Sequence, residues 1–221
     1  MRASLISRDD VLATKTLHVS SHPLVQDKIT RLREANRSPE TFRILAGQLT
    51  TLLLYEALAD LSVSPKTVRT PLADCEGSVL AEQVGFVPVL RAGLGMIPAA
   101  LEHVPNAQVW CLGMYRDEEK LVPMPYYDKM PEHPTADVYC VLDIMLATGG
   151  SACDAISRVQ RYGKPVRLVS LIAAPEGVLK VATDHPDTKM FVGVLDSHLS
   201  DKGYIVPGLG DAGDRYFNTT S

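Results

Sequence analysis

The chain has 221 residues, 46% apolar, 22% charged and 6% aromatic, the usage of an ordinary globular protein with no disordered or fibrous bias. At roughly 150 residues per domain this length fits one domain, or one core with an attached subdomain, and such a chain buries about 70% of its unfolded surface without a metal or disulfide staple. A net charge of −4 excludes general attraction to a phosphate backbone or an anionic leaflet, so any anion the protein binds must be held by a local site.

The opening residues, MRASLISRDD, lack the continuous apolar run of a secretory signal, and their Arg, Ser and Leu leave a transit segment open. A polar leader follows, in which His18 and His22 stand four apart with no third residue to complete a metal site. Pro23 opens a helix whose Leu24, Val25, Ile29 and Leu32 recur at about the 3.6 period. After a break at residues 36–39, Ser38 is placed to cap a second helix with Pro39 at its first position. Ile44, Leu45, Leu49, Leu52, Leu53, Tyr55 and Leu58 cover more than one of its faces, which predicts a helix packed between two layers. The longest apolar stretch, residues 49–61, is interrupted by Glu56 and Asp60 and is too short to span a bilayer.

From residue 84 short apolar runs, at 84–90, 108–114, 138–143, 166–173 and 190–195, alternate with Gly-containing turns and helix-compatible segments, among them about 94–102 and 152–162. This alternation predicts an α/β fold with a mainly parallel sheet of about five strands, flanked by helices on both faces. Ligands in such sheets bind outside the carboxyl ends of the strands, which directs attention to the loops after Leu90, Met114, Asp143, Ala174 and Leu195. Residues 116–134, with Pro123, Pro125, Pro131, Pro134 and the Tyr126–Tyr127 pair, read as an extended arm or hairpin suited to a flap or a subunit contact. Cys75, Cys111, Cys140 and Cys153 form no CxxC, and three sit among strand-like apolar residues, so free thiols in a reducing, cytoplasmic setting are expected.

The segment that carries most chemistry is VYCVLDIMLATGGS, residues 138–151. A buried strand ends in Asp143, and a loop closes with Thr148, Gly149, Gly150 and Ser151 at the start of a helix. Backbone N–H groups in a Gly-rich turn, a helix N-terminus and two hydroxyls suit a phosphate monoester, and the acid before them suits ribose hydroxyls. No Lys follows the glycines and the spacing is not GxGxxG, so this is neither a Walker loop nor a dinucleotide fingerprint. The alternative is an ordinary strand-to-helix turn.

The same segment resembles the phosphoribosyl diphosphate (PRPP) motif of the type I phosphoribosyltransferase family, in which an apolar run, an acid and a loop ending Thr-Gly-Gly-Ser or Thr follow one another. Most of that family has a second acid where Ile144 stands; the uracil branch also lacks it. LRAGLGM at 90–96, GYIVPGLGDAGD at 203–214, HPLV at 22–25, GMYR at 113–116 and AAPEG at 173–177 match that branch, in order, over nearly the whole length after residue 20.

The resemblance implies transfer of 5-phosphoribosyl from PRPP to N1 of uracil, with Mg²⁺ brought in on PRPP. It implies a core at about 66–195 under a hood built from about 1–65 and 196–221, a homodimer or homotetramer, and GTP as an effector. It assigns Arg91, Arg116, Asp143, Ile144, Met145, Leu146, Ala147, Thr148, Gly149, Gly150, Ser151 and Asp211 to PRPP. Ile205, Gly210, Asp211 and Ala212 fall to the base, and Arg91, Arg116, Asp143 and Asp211 to catalysis.

The residues themselves give each role a reason. Glycines let backbone approach a diphosphate, a guanidinium binds its oxygens in pairs, and a fixed Gly-rich loop can pair the carbonyls and N–H of a planar base. For Arg116 alone a surface salt bridge remains open, and Asp211 and Asp214 can equally be first-turn acids of a helix at 212–217. Glu176 is a helix-start carboxylate by default. A pyrimidine-sensing RNA-binding regulator, or an idle member of the same fold, would want a basic face or a broken site.

Overall fold

The computed structural model describes residues 11–116, 123–128 and 130–219. Strand β1 (Leu17–Val19) is followed by α1 (Pro23–Arg33), α2 (Pro39–Ala57) and a hairpin of β2 (Val63–Arg69) and β3 (Asp74–Leu80). Next come β4 (Val84–Leu90), a 3-10 turn at Ala92–Met96, α3 (Ile97–His103), β5 (Gln108–Val109), β6 (Leu112–Arg116), β7 (Pro123–Asp128) and β8 (Val138–Leu146). The chain then runs through α4 (Gly150–Gln160), β9 (Val166–Ala173), α5 (Pro175–Asp184), β10 (Lys189–Leu195), β11 (His198–Leu199), β12 (Ile205–Val206) and α6 (Ala212–Phe217).

The central sheet runs β1-β10-β9-β8-β4-β6-β7, with β5 also pairing β4, and every pair is parallel except β6 with β7. It has eight strands, where the apolar runs predicted about five. The leader supplies one of the additions: Leu17–Val19 pairs with β10 as an edge strand, too short to show alternation. The run at 108–114 splits into β5 and β6, and part of the arm joins the sheet as β7. One face is covered by α1, α2 and α3, where Phe42, Leu49 and Leu53 meet Phe86, Leu142 and Leu171; the other by α4 and α5, where Ile156, Val159 and Val178 meet Val87, Val141 and Leu168.

Local chemistry sets the helix starts. The Ser38 hydroxyl accepts the Thr41 N–H, with Pro39 at the first helical position, and His22 Nδ1 accepts the Leu24 N–H. His22 is thereby a cap, and His18 Nε2 lies 3.0 Å from Glu56. The second helix is not enclosed between two layers as expected: Phe42, Leu45, Ala46, Leu49, Leu53, Leu54 and Ala57 form one buried stripe against the sheet and its neighbours, while Ile44 and Tyr55 face outward. Cys140 is buried in β8, but Cys153 belongs to α4 and Cys75 is exposed on β3.

Candidate functional site

Strand β8 does not end at Asp143, as the apolar run implies, but continues to Leu146. Asp143 therefore lies within the sheet, opposite Ser170 of β9, on the pleat shared with Tyr139 and Val141 and covered by α4. Burial pushes its carboxyl up to about 7, against the pull of the Met145 and Ile144 backbone N–H groups. Ile144 and Leu146 turn their side chains into the core, leaving only their backbone for a ligand. Met145 and Ala147 are half-buried, and Thr148 is exposed.

Helix α4 starts at Gly150, two residues earlier than the sequence implies. Its cap residue is Gly149, with φ +80°, a conformation open to glycine and strained for residues with a side chain. No side chain caps this helix and no acid occupies its first turn, unlike α2 and α6. Its first N–H groups are thus left for an anion, with Thr148 and Ser151 beside them. Asp143, Ala147, Thr148, Gly149, Gly150 and Ser151 line a cavity of about 90 Å³ here.

Arg91 follows β4 and precedes the 3-10 turn that stands in for the first part of the predicted helix at 94–102. Gly93 is needed for space within the chain, since a Cβ there would sit 2.2 Å from the Leu142 carbonyl oxygen. Arg91 Nη2 lies 2.8 Å from Asp214 of α6, tying the loop after β4 to the C-terminal segment. Arg116 is the last residue of β6, at the carboxyl end of that strand, and its side chain lies outside the described residues. So do Asp117, Glu118, Glu119 and Lys120.

Asp211 Oδ1 accepts the Asp214 N–H and caps α6, so of the two acids read as first-turn residues only Asp214 stands in the first turn, and Asp211 is the cap before it. Arg91 and Thr219 hold the Asp214 carboxyl below the usual range, the hydrogen bond from Thr219 being the larger cause. A cavity of about 240 Å³ is lined by Ile205, Gly210, Asp211 and Ala212, together with Ala92, Met145 and Ala147. Tyr204 and Gly213 also line it; the sequence quotes both within a motif without giving them a role. Met145 and Ala147 line the phosphate-sized cavity as well, so the two spaces share a wall.

A family model described as uracil phosphoribosyltransferase matches residues 19–219. The chain belongs to the uracil phosphoribosyltransferase family. A uracil phosphoribosyltransferase of Roseiflexus castenholzii is 49% identical over 206 residues, covering 93% of this chain and 99% of that protein. One from Brevibacillus brevis is 45% identical, with 92% and 98% covered. The AQ2163 protein of Aquifex aeolicus superposes with a TM-score of 0.87 at 40% identity, over 92% of this chain and 99% of that one. Membership in the uracil phosphoribosyltransferase family makes the chain an enzyme, built on an α/β fold with a mainly parallel sheet, and no described helix is long and apolar enough to cross a membrane.

Proposed function

We propose that this enzyme transfers the 5-phosphoribosyl group of PRPP to N1 of uracil, giving UMP and diphosphate in pyrimidine salvage. The observation that carries this reading is the shared wall of Met145 and Ala147, which sets a phosphate-sized cradle beside a base-sized cavity with Asp143 at the cradle's edge. The α4 N-terminus with Thr148 and Ser151 takes the 5-phosphate, and Asp143 takes the ribose hydroxyls. The backbone of Ile205, Gly210, Asp211 and Ala212 pairs the base. Arg91 and Arg116 take the diphosphate.

Arg91 must leave Asp214 to do so, and a solvent-screened ion pair of this kind is weak, so a diphosphate competes readily. No side chain attacks the sugar. The C1–O bond to diphosphate breaks toward an oxocarbenium-like state, uracil N1 supplies the electron pair of the new bond, and its proton passes to the diphosphate or to water. Rate comes from alignment and from guanidinium charge at the departing oxygens. Mg²⁺ would come as part of the PRPP substrate and would neutralise charge on its diphosphate.

We further propose a cytoplasmic homodimer or homotetramer with GTP as effector, and a hood of about 1–65 and 196–221 over a core of about 66–195. Support for assembly comes from the β2–β3 ribbon, where Val63, Val68, Leu72, Val79 and Leu80 stand exposed, and from an apolar cavity of about 480 Å³ beside it lined by Leu54, Leu58, Leu61 and Leu80. The four free cysteines fit a reducing compartment. Support for GTP is the sequence resemblance alone. The deciding assay offers uracil, cytosine, hypoxanthine and orotate separately with PRPP and Mg²⁺: UMP from uracil and no product from the others is expected, and turnover of another base in preference to uracil overturns the reading.

A further inference from the structure

Backbone recognition of a base demands that the backbone be fixed, and the loop between β12 and α6 has no regular structure to fix it. What holds it comes from two distant parts of the chain. Asp196, the residue directly after β10, is 5% exposed. It accepts two hydrogen bonds from Arg33, at the end of α1: Arg33 Nη2 to Oδ1 at 2.5 Å and Arg33 Nη1 to Oδ2 at 2.8 Å.

The pair does not close on itself. Asp196 Oδ2 also accepts the Gly208 N–H at 2.9 Å, and Arg33 Nη1 also donates to the Gly208 carbonyl at 2.8 Å. Both polar groups of one peptide residue are thus gripped by one ion pair. Only glycine suits the position, with φ +57° and an added Cβ 2.1 Å from the Ile205 carbonyl oxygen. Next along the chain, Arg215 Nη1 donates to the Leu209 carbonyl at 2.8 Å, while its Nη2 donates to the Glu34 carbonyl at 2.6 Å, anchoring the loop to the same end of α1.

In contrast, the backbone of Gly210 makes no hydrogen bond with described residues, and neither does the N–H of Ala212, first in its helix. The anchored residues Gly208 and Leu209 stop where the base cavity begins, and Gly210 and Ala212 line it. A buried ion pair is weak evidence for stability, because desolvation offsets attraction, and is better explained where it specifies one geometry.

We infer that Arg33 and Asp196 are positioning residues for uracil, holding the loop at Gly208 so that the backbone of Gly210 and Ala212 is presented in one arrangement. This rests on the base-loop assignment above and names the device that makes it specific. Most of the residues assigned to PRPP lie on other loops, at α4, Asp143 and Arg91, so the pair bears on PRPP only through Asp211.

The test uses the full chain with Asp196→Asn, Arg33→Lys and, as control, Arg31→Ala, whose side chain pairs only with exposed Asp27 on the same helix. Steady-state kinetics with uracil and PRPP varied in turn are combined with hydrogen exchange of the unliganded proteins. We expect KM for uracil to rise about tenfold to a hundredfold in the first two variants, KM for PRPP to stay within about twofold, and the control to match the parent. Amides at 208–212 should exchange faster, with those of β8 unchanged.

Equal rises in both KM values, or unchanged uracil KM and unchanged exchange in a folded variant, overturn the inference. Loss of the folded state in both variants also overturns it, by assigning the pair to the core. If the parent forms no UMP, the uracil reading falls, and the exchange comparison still decides whether the pair holds the loop.

Discussion

Asp143, proposed above for the ribose hydroxyls, has a carboxyl that the fold makes hard to ionise. Its value of about 7 in the folded chain lies above the 3.8 of an ordinary aspartate, so the folded state holds this proton more tightly than the unfolded state does. As pH rises from 3.8 toward 7 the unfolded chain ionises first, the folded state loses relative stability, and above 7 the full penalty is present. Asn at this position carries no such penalty. Urea midpoints of Asp143→Asn and the parent should therefore move apart in favour of the variant between pH 4.5 and pH 8, while PRPP turnover collapses. A variant less stable at pH 8 with near-normal PRPP affinity would make Asp143 a structural residue. Ala212, 5% exposed, tests the other cavity. Ala212→Asp should abolish uracil use by bringing an unpaired carboxylate against the base carbonyls, with PRPP affinity retained, whereas Ile205→Val, losing one buried methylene worth about 1 kcal/mol, should be nearly silent in turnover. Equal loss of both ligands in Ala212→Asp would make the segment a folding element. Asp143, Gly149 and the residues of the base loop were legible in the sequence because each belongs to a compact local motif. Arg33 and Asp196 were not, since their partnership spans 163 residues and neither sits in a pattern that names its mate.

Among the elements, α4 starts without a side-chain cap, which is what its proposed role at the phosphate requires. Strand β8 drives straight into it through residues 147–149, and Gly149 makes the turn with its φ of +80°. Gly149→Ala should pay left-handed strain of about 1–2 kcal/mol and also press a methyl group 3.0 Å from the Gly177 carbonyl oxygen, displacing the N–H groups that face the phosphate. Gly163, with φ +67° and open space around it, provides the comparison: Gly163→Ala carries the same strain with no crowding. Calorimetric titration with PRPP should show a large affinity loss for Gly149→Ala and none for Gly163→Ala, at similar losses in melting temperature. Similar PRPP affinities in the two variants would remove α4 from the phosphate site. The strands of the sheet centre, β4 and β9, match their apolar runs residue for residue, because strands buried on both faces are written as continuous hydrophobic runs. The short strands escaped: β1 at the sheet edge has three residues, and β11 and β12, which pair apart from the central sheet, two each, lengths at which no period can be read. The β2–β3 ribbon escaped for another reason, since it buries neither face and so carries no alternation to detect.

That ribbon is difficult to reconcile with a protein that exists as a single copy. It pairs Val63–Arg69 with Asp74–Leu80 over seven residues each, and its strands are exposed apart from a half-buried Ser64. An isolated two-stranded hairpin is marginal in water, and an unprotected strand edge is a template for association. Leu72 at its tip is 92% exposed, and Val68, Val79 and Leu80 add further apolar surface. The sequence directs the subunit contact to residues 116–134, a segment that supplies β7 beside β6 at one edge of the central sheet. The described surface adds the ribbon as a second candidate. Covering the ribbon with a second copy removes this apolar area from water and gives both strands a partner. The chain should then sediment as a dimer or larger at micromolar concentration. Val68→Lys together with Leu72→Lys, which leave the central sheet and both cavities of the site untouched, should shift it toward monomer with an unchanged far-ultraviolet circular dichroism spectrum. A parent that sediments as a monomer at that concentration would mean that the ribbon stands free in solution. A double variant that keeps the parent's mass would move the contact away from the ribbon, leaving the β6–β7 arm to carry it.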